Sequence, residues 1–280
     1  MDKQLDRARG AMVGLAVGDA LGAPIEFSQR DSLPPVTGYR AGGPHRLKAG
    51  QFTDDGTQAL CLADSLVESE GVFDPADFLT RVAASYRTGH NYVTGRCFDI
   101  GNQTVAAIEA FETAGSCRNN VDEDAQGNGA LMRLVPAVLV ARTELDAVVV
   151  ATAQSQTTHA SPVCIAAAQE MASILWEAIE GRRITFDGLK GFPREQVISS
   201  GHAPASLHAA KWAIANTETF EDAVLLAVNL GDDSDTVGAI TGQLAGAIYG
   251  YTTIPQPWCT GLAWHTRFAS LASSLFLLRG

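Results

Sequence analysis

Gly10-Ala11-Met12-Val13-Gly14-Leu15-Ala16-Val17-Gly18-Asp19-Ala20-Leu21-Gly22 decides the fold. Everything before Asp19 is small or apolar. Glycine costs helix stability. Yet Gly10, Gly14 and Gly18 recur every four residues, which puts them on one face of a helix. A second helix packed close against that face accounts for them. The run is too short to span a membrane and it stops at Asp19. It reads as a buried helix rather than an anchor or a leader, with Asp19 anchoring the turn that follows.

The same spacing recurs along the 280-residue chain. It predicts helices over 3–21, 54–70, 75–88, 99–115, 129–142, 144–157, 160–180, 205–216, 218–229, 234–250 and 261–278. Asp74-Pro75 and Ser161-Pro162 are helix starts with proline in the first helical position, and Thr217–Glu221 reads as another. Strand-like alternation is nearly absent, and Val148-Val149-Val150 sits in a helical frame. The expected fold is all-α. No linker, composition shift or repeat divides the chain, so a single compact multi-helix domain over 1–280 is expected. The irregular stretches are 22–53, 88–98, 116–128, 181–204 and 250–260, and functional groups concentrate on such segments.

Hydrophobic residues make up 46% of the chain and charged residues 18%, enough to bury a large core. A net charge of −11 argues against a nucleic-acid or anionic-membrane surface. It leaves room for a small anionic ligand held by metal ions or backbone amides. The five cysteines show no Cys-x-x-Cys or zinc spacing, which fits free thiols in a reducing cytoplasm.

Two acidic runs stand out, about 180 residues apart: Thr53-Asp54-Asp55 and Asp232-Asp233-Ser234-Asp235-Thr236. Each interrupts an apolar stretch and has no nearby Lys or Arg. Partly buried like charges need neutralising. Hydroxyl and carboxylate oxygens suit magnesium or manganese. If the fold joins the runs, five carboxylates and two threonine hydroxyls can hold two such ions. Taken singly, each run also reads as a helix cap, since Thr, Ser and Asp are preferred there. A cap explains one carboxylate well and three poorly.

Other segments carry weaker signals. Glu26 stands alone in the apolar loop Ala23–Phe27; it is either a general acid or base or an exposed loop glutamate. Asp99 in Cys97–Asn102 reads by itself as a helix cap. Gly127-Asn128-Gly129 opens a helix, and its glycines let amide groups approach a ligand; many plain turns look the same. His159 and His202 each precede a helix, where a lone histidine is more often a cap or a packed ring than a ligand. The chain lacks Gly-x-Ser-x-Gly, a phosphate-binding P-loop, Gly-x-Gly-x-x-Gly and His-Glu-x-x-His. Serine hydrolase, NTPase, dinucleotide oxidoreductase and zinc protease are therefore disfavoured.

In this order, the segments 9–27, 52–66, 98–102, 127–136, 158–159 and 229–250 resemble the ADP-ribosylglycohydrolases, the group that contains dinitrogenase-reductase-activating glycohydrolase. The resemblance spans nearly the whole chain. It implies an all-α domain with a two-metal cleft holding Mg²⁺ or Mn²⁺. By position, Thr53, Asp54 and Asp55 match one ligand set, and Asp233, Asp235 and Thr236 the other. Asp99 matches an acidic residue proposed to assist chemistry in the arginine-specific branch. Glu26 matches an acid/base of the branch acting on O-linked ADP-ribose. Gly127, Asn128, Gly129 and His159 match ADP-ribose-contacting loops; Gly101, Asn102 and Met132 adjoin them in the matching motifs. His202 stands where a tyrosine is common. The implied activity is removal of ADP-ribose from arginine on a protein by cleavage of the N-glycosidic bond. The alternatives are a hydrolase of O-linked or free ADP-ribose derivatives and a non-catalytic ADP-ribose binder. The sequence departs from the family pattern at Gly56, where threonine is usual, and at Asp232, where glycine is common.

Overall fold

The computed structural model describes residues 2–119 and 122–280. In chain order its α-helices are α1 (Lys3–Gly22), α2 (Asp54–Glu68), α3 (Pro75–Thr88), α4 (Asn102–Ala114), α5 (Gly129–Met132), α6 (Val135–Leu139), α7 (Glu144–Thr158), α8 (Pro162–Ile179), α9 (Ala203–Ala215), α10 (Phe220–Val228), α11 (Ser234–Tyr249), α12 (Gln256–Gly261) and α13 (His265–Leu277). Among the described residues there is no strand beyond two isolated bridges, Gly42 with Leu47 and Gly127 with His202. The all-α expectation holds. Among these residues no helix is long and apolar enough to cross a membrane.

Helix α1 is the axis of the molecule. From Gly10 to Gly22 every residue is buried, as expected of a helix apolar on all sides. The partner that its glycines imply is α11, which runs antiparallel to it. A Cβ built on Gly10, Gly14 or Gly18 would lie 2.2, 2.2 or 2.0 Å from the carbonyl oxygen of Gly246, Gly242 or Gly238. The converse holds too: a Cβ on Gly238, Gly242 or Gly246 would lie 2.5, 1.9 or 2.0 Å from the oxygen of Gly18, Gly14 or Gly10. The backbones themselves touch along this seam. At its end, Gly22 meets Ser234 and Asp235, so the close approach runs directly into the second acidic run.

The core surrounds these two helices and draws on α2, α8, α10 and α13. Capping sets several boundaries. Asp74 caps α3, with Pro75 in its first turn and Gly89 left-handed at its end. Ser161 caps α8 ahead of Pro162, and Thr219 caps α10.

Most boundaries fall within two residues of expectation, and three elements differ by more. The helix expected over 129–142 is two short ones, α5 and α6, because the chain turns at Arg133-Leu134 and Pro136 opens the second. The helix expected over 261–278 begins only at His265, after the left-handed Trp264, and a separate α12 precedes it. Helix α4 begins at Asn102 with Gly101 as its N-cap. Asp99 therefore lies in the loop before it and is not the cap.

Candidate metal centre and cleft

Helices α2 and α11 start next to each other, and each presents its acidic run there. Thr53 is the N-cap of α2 and Asp233 that of α11. The Thr53 hydroxyl lies 3.1 Å from Asp55 Oδ2 and 3.3 Å from Asp235 Oδ2. Thr236 Oγ1 lies 3.3 Å from Asp55 Oδ1. The two remote runs thus meet side chain to side chain. Asp19 fixes one wall: its carboxylate accepts the backbone N–H groups of Thr53 at 2.8 Å and Gly56 at 2.9 Å. Contrary to expectation, it anchors not the turn after its own helix but the start of α2. A Cβ on Gly56 would come 2.6 Å from the Phe52 ring, which would have to shift to admit it.

Oxygens of Asp19, Asp55 and Asp235 lie within 4.8 Å of one another, and such a group can hold a metal ion. Burial pushes Asp54, Asp55 and Asp235 well above the ordinary carboxylate range, and neighbouring carboxylates add to the rise. Burial likewise raises Asp19 to about 7, against its two backbone donors. Asp235 Oδ1 is buried with no hydrogen-bond partner. A set of oxygen donors with one oxygen left over fits a hard divalent cation.

Above this floor opens a cleft of about 350 Å³. Asp54, Asp233, Asp235 and Thr236 line it from below, while Thr53 and Asp55 lie fully buried beneath. Glu26, Asp99, Gly101 and Asn102 line one part, and Gly127, Asn128, Gly129, Met132 and His159 another. His202 is outside the lining; its ring pairs with Gln126 at 2.9 Å. Asn128 joins the loops to the floor by donating to Asp233 Oδ2 at 2.6 Å.

Glu26 is not an exposed loop residue. It is 6% exposed, and Oε2 lies 2.8 Å from His45 Nε2. The same nitrogen is 3.5 Å from Asp99 Oδ2. His45 therefore bridges the two carboxylates, with its ring against Phe98 at 5.2 Å between centroids. The hydrogen bond to Glu26 raises the His45 pKa, against its partial burial. Burial raises Glu26 and Asp99. A protonated imidazole between two carboxylates can hold or pass a proton at the cleft wall.

The glycine turn works differently from expectation. Gly127 N–H donates to Gln103 Oε1 at 2.9 Å, and Asn128 N–H to the carbonyl of Gly201 at 3.0 Å. These amides are engaged within the protein. The glycines clear space for His159: a Cβ on Gly127 or Gly129 would come within 3.2 or 2.6 Å of its ring. Helix α4 offers donors instead, since its first turn has no side-chain cap and Asn102, Gln103 and Thr104 line the cleft.

Sequence reasoning missed His45, Gln58 and Arg133. Arg133 is fully buried and donates to Gln58 Oε1 at 2.5 Å. Gln58 Nε2 in turn donates to Asp54 Oδ2 at 2.7 Å. No local pattern marks these residues. The one available signal was the unbalanced charge of the acidic runs, which a distant cation helps to offset.

The model of the family described as ADP-ribosylglycohydrolase matches residues 1–280. The chain belongs to the ADP-ribosylglycohydrolase family. It is 40% identical to ADP-ribosylarginine hydrolase Tri1 of Serratia proteamaculans, over 99% of this chain and 80% of that protein. It is 33% identical to the ADP-ribosyl-[dinitrogen reductase] glycohydrolase of Rhodospirillum rubrum, over 92% of this chain and 90% of the relative. A solved structure described as an ADP-ribosylglycohydrolase-related protein complex superimposes with a TM-score of 0.88 at 36% identity, covering 100% of both chains. This family member thus shares both its sequence and its helical architecture with ADP-ribosylglycohydrolases.

Proposed function

We propose that this chain, as a single domain, hydrolyses the N-glycosidic bond between ADP-ribose and an arginine side chain of a modified protein. The observation that carries the reading is the meeting of both acidic runs under a cleft whose wall holds Glu26, His45 and Asp99. The likeness to proteins named ADP-ribosylarginine hydrolase supports it. Thr53, Asp54, Asp55, Asp233, Asp235 and Thr236 would hold two divalent cations, Mg²⁺ or Mn²⁺. Bound there, the cations supply Lewis acidity and orient ribose hydroxyls.

The protein's own groups do the rest. Asp99 moves the proton: water adds its oxygen to the anomeric carbon, the carbon–nitrogen bond breaks, and the water proton passes to the departing guanidine nitrogen. His45, itself held by Glu26, holds Asp99 in place and shares that proton. The α4 amides and Gly129 receive the diphosphate. Gly101, Asn102, Asn128, Met132 and His159 surround the nucleotide. His202 is left outside this assignment, since its ring is spent on Gln126.

The test is release of ADP-ribose from ADP-ribosylarginine and ADP-ribosylserine with Mg²⁺, Mn²⁺ or chelator. Turnover of the arginine substrate, abolished by chelator, is expected; metal-independent turnover or none at all refutes the reading. Asp233→Asn should abolish turnover and leave the far-UV circular dichroism unchanged. Full activity in that variant removes Asp233 from the ligand set.

A further inference from the structure

Arg133 connects the two halves of the site. Its guanidinium is fully buried, stacks over Phe78 at 4.9 Å and donates every hydrogen bond that it makes. One chain of bonds leads to the substrate wall. Arg133 Nη2 donates to Thr158 Oγ1 at 2.6 Å, and Thr158 Oγ1 lies 2.7 Å from His159 Nδ1. Thr158 is fully buried, and Nδ1 is the acceptor within reach of its hydroxyl proton. If Nδ1 carried a proton, the hydroxyl would face two donors and its own buried proton would have no acceptor. The threonine proton therefore points at Nδ1, and His159 carries its hydrogen on Nε2. Among the described residues that nitrogen has no hydrogen-bond partner. His159 is 4% exposed and lines the cleft. Burial and the Arg133 charge lower its pKa to about 3, which keeps the ring neutral.

The second chain leads to the metal floor. Arg133 Nη1 takes the Gln58 oxygen, so the Gln58 amide nitrogen must face Asp54. The flip of that amide is fixed by the cation behind it.

We propose that Arg133 is a positioning residue that sets the polarity of both chains: it holds His159 as the Nε2–H tautomer, a donor aimed at an ADP-ribose oxygen, and turns an N–H of Gln58 toward Asp54. The choice of ADP-ribose rests on the functional reading above; the tautomer does not.

Because Arg133→Met can fail to fold, the test uses Thr158→Val, which removes one hydroxyl at constant shape, and Thr158→Ser, which restores it. Long-range ¹⁵N–¹H spectra of histidine-labelled protein read the ring, with His159 assigned by its loss in His159→Gln. The wild type should show Nε2 protonated and Nδ1 bare. Thr158→Val should lose that single tautomer and bind ADP-ribose about ten-fold more weakly by calorimetry, the loss expected when a hydrogen bond to a charged acceptor is weakened. Its Mn²⁺ affinity should be unchanged, and Thr158→Ser should recover both properties. A wild-type ring protonated on Nδ1 overturns the proposal, as does a Thr158→Val protein with an unchanged tautomer or unchanged ADP-ribose affinity. Should the wild type bind no ADP-ribose, the functional reading fails, and the wild-type tautomer still decides the lock.

Discussion

Single residues show where sequence reasoning reaches and where it stops. Thr53, Asp54, Asp55, Asp233, Asp235 and Thr236 were legible because like charges crowd together beside apolar runs. His45 was not, since it lies alone in the irregular stretch 22–53 and its role appears only when the fold brings Glu26 and Asp99 to it. Arg133 follows a glycine turn and looks like a surface cation until its burial is seen. Asp99→Asn keeps the shape of the site but removes the proposed proton carrier. It should lower kcat by about 10²- to 10⁴-fold, the usual span of general acid–base catalysis, while ADP-ribose affinity stays near wild type. A steady-state comparison with a binding titration checks this, and unchanged kcat shifts the role to Glu26.

At the scale of elements, caps and prolines placed α3, α8 and α10 from sequence, because those signals are local. The 129–142 segment went wrong because its apolar periodicity outweighed Pro136, which starts a new helix just after the break at Arg133-Leu134. Gly10, Gly14 and Gly18 announced a close partner but could not name it. The matching glycines of α11 lie more than 200 residues away. Gly242→Ala places a Cβ 1.9 Å from the Gly14 oxygen, where only backbone can yield. Overpacking a core costs about 1–3 kcal/mol, and a rigid backbone neighbour puts this case at about 3 kcal/mol or beyond. Urea denaturation should show the loss; a cost below about 0.5 kcal/mol, typical of a surface change, means the helices part easily.

At the scale of the whole molecule, the buried carboxylates make stability depend on pH and cation. Asp54, Asp55 and Asp235 have folded-state pKa values raised well above the usual range, and Asp19 is raised to about 7. Without a cation the folded protein binds more protons than the unfolded chain across that window, so its stability falls as pH rises. His45, also raised, acts the same way, its contribution being lost above its folded pKa. Chelated protein should therefore melt lower at about pH 8 than at about pH 5.5. Mn²⁺ should restore the Tm chiefly at the higher pH, where protons no longer compete for the ligands. Equal melting at both pH values in chelator contradicts this.

The glycine seam also sets a gauge. Asp235 of the ligand set and Asp19, which holds the start of α2 beside it, project from two helices whose main chains already touch, so the backbone positions under the floor are closely set. Magnesium takes oxygens at about 2.0–2.1 Å and calcium at about 2.3–2.6 Å with more of them. A larger ion asks for a wider and more numerous ring of oxygens, which these side chains must supply from backbones set at one spacing. Calcium is thus expected to compete poorly for this floor, and the calibre of the site is written in residues that carry no side chain at all.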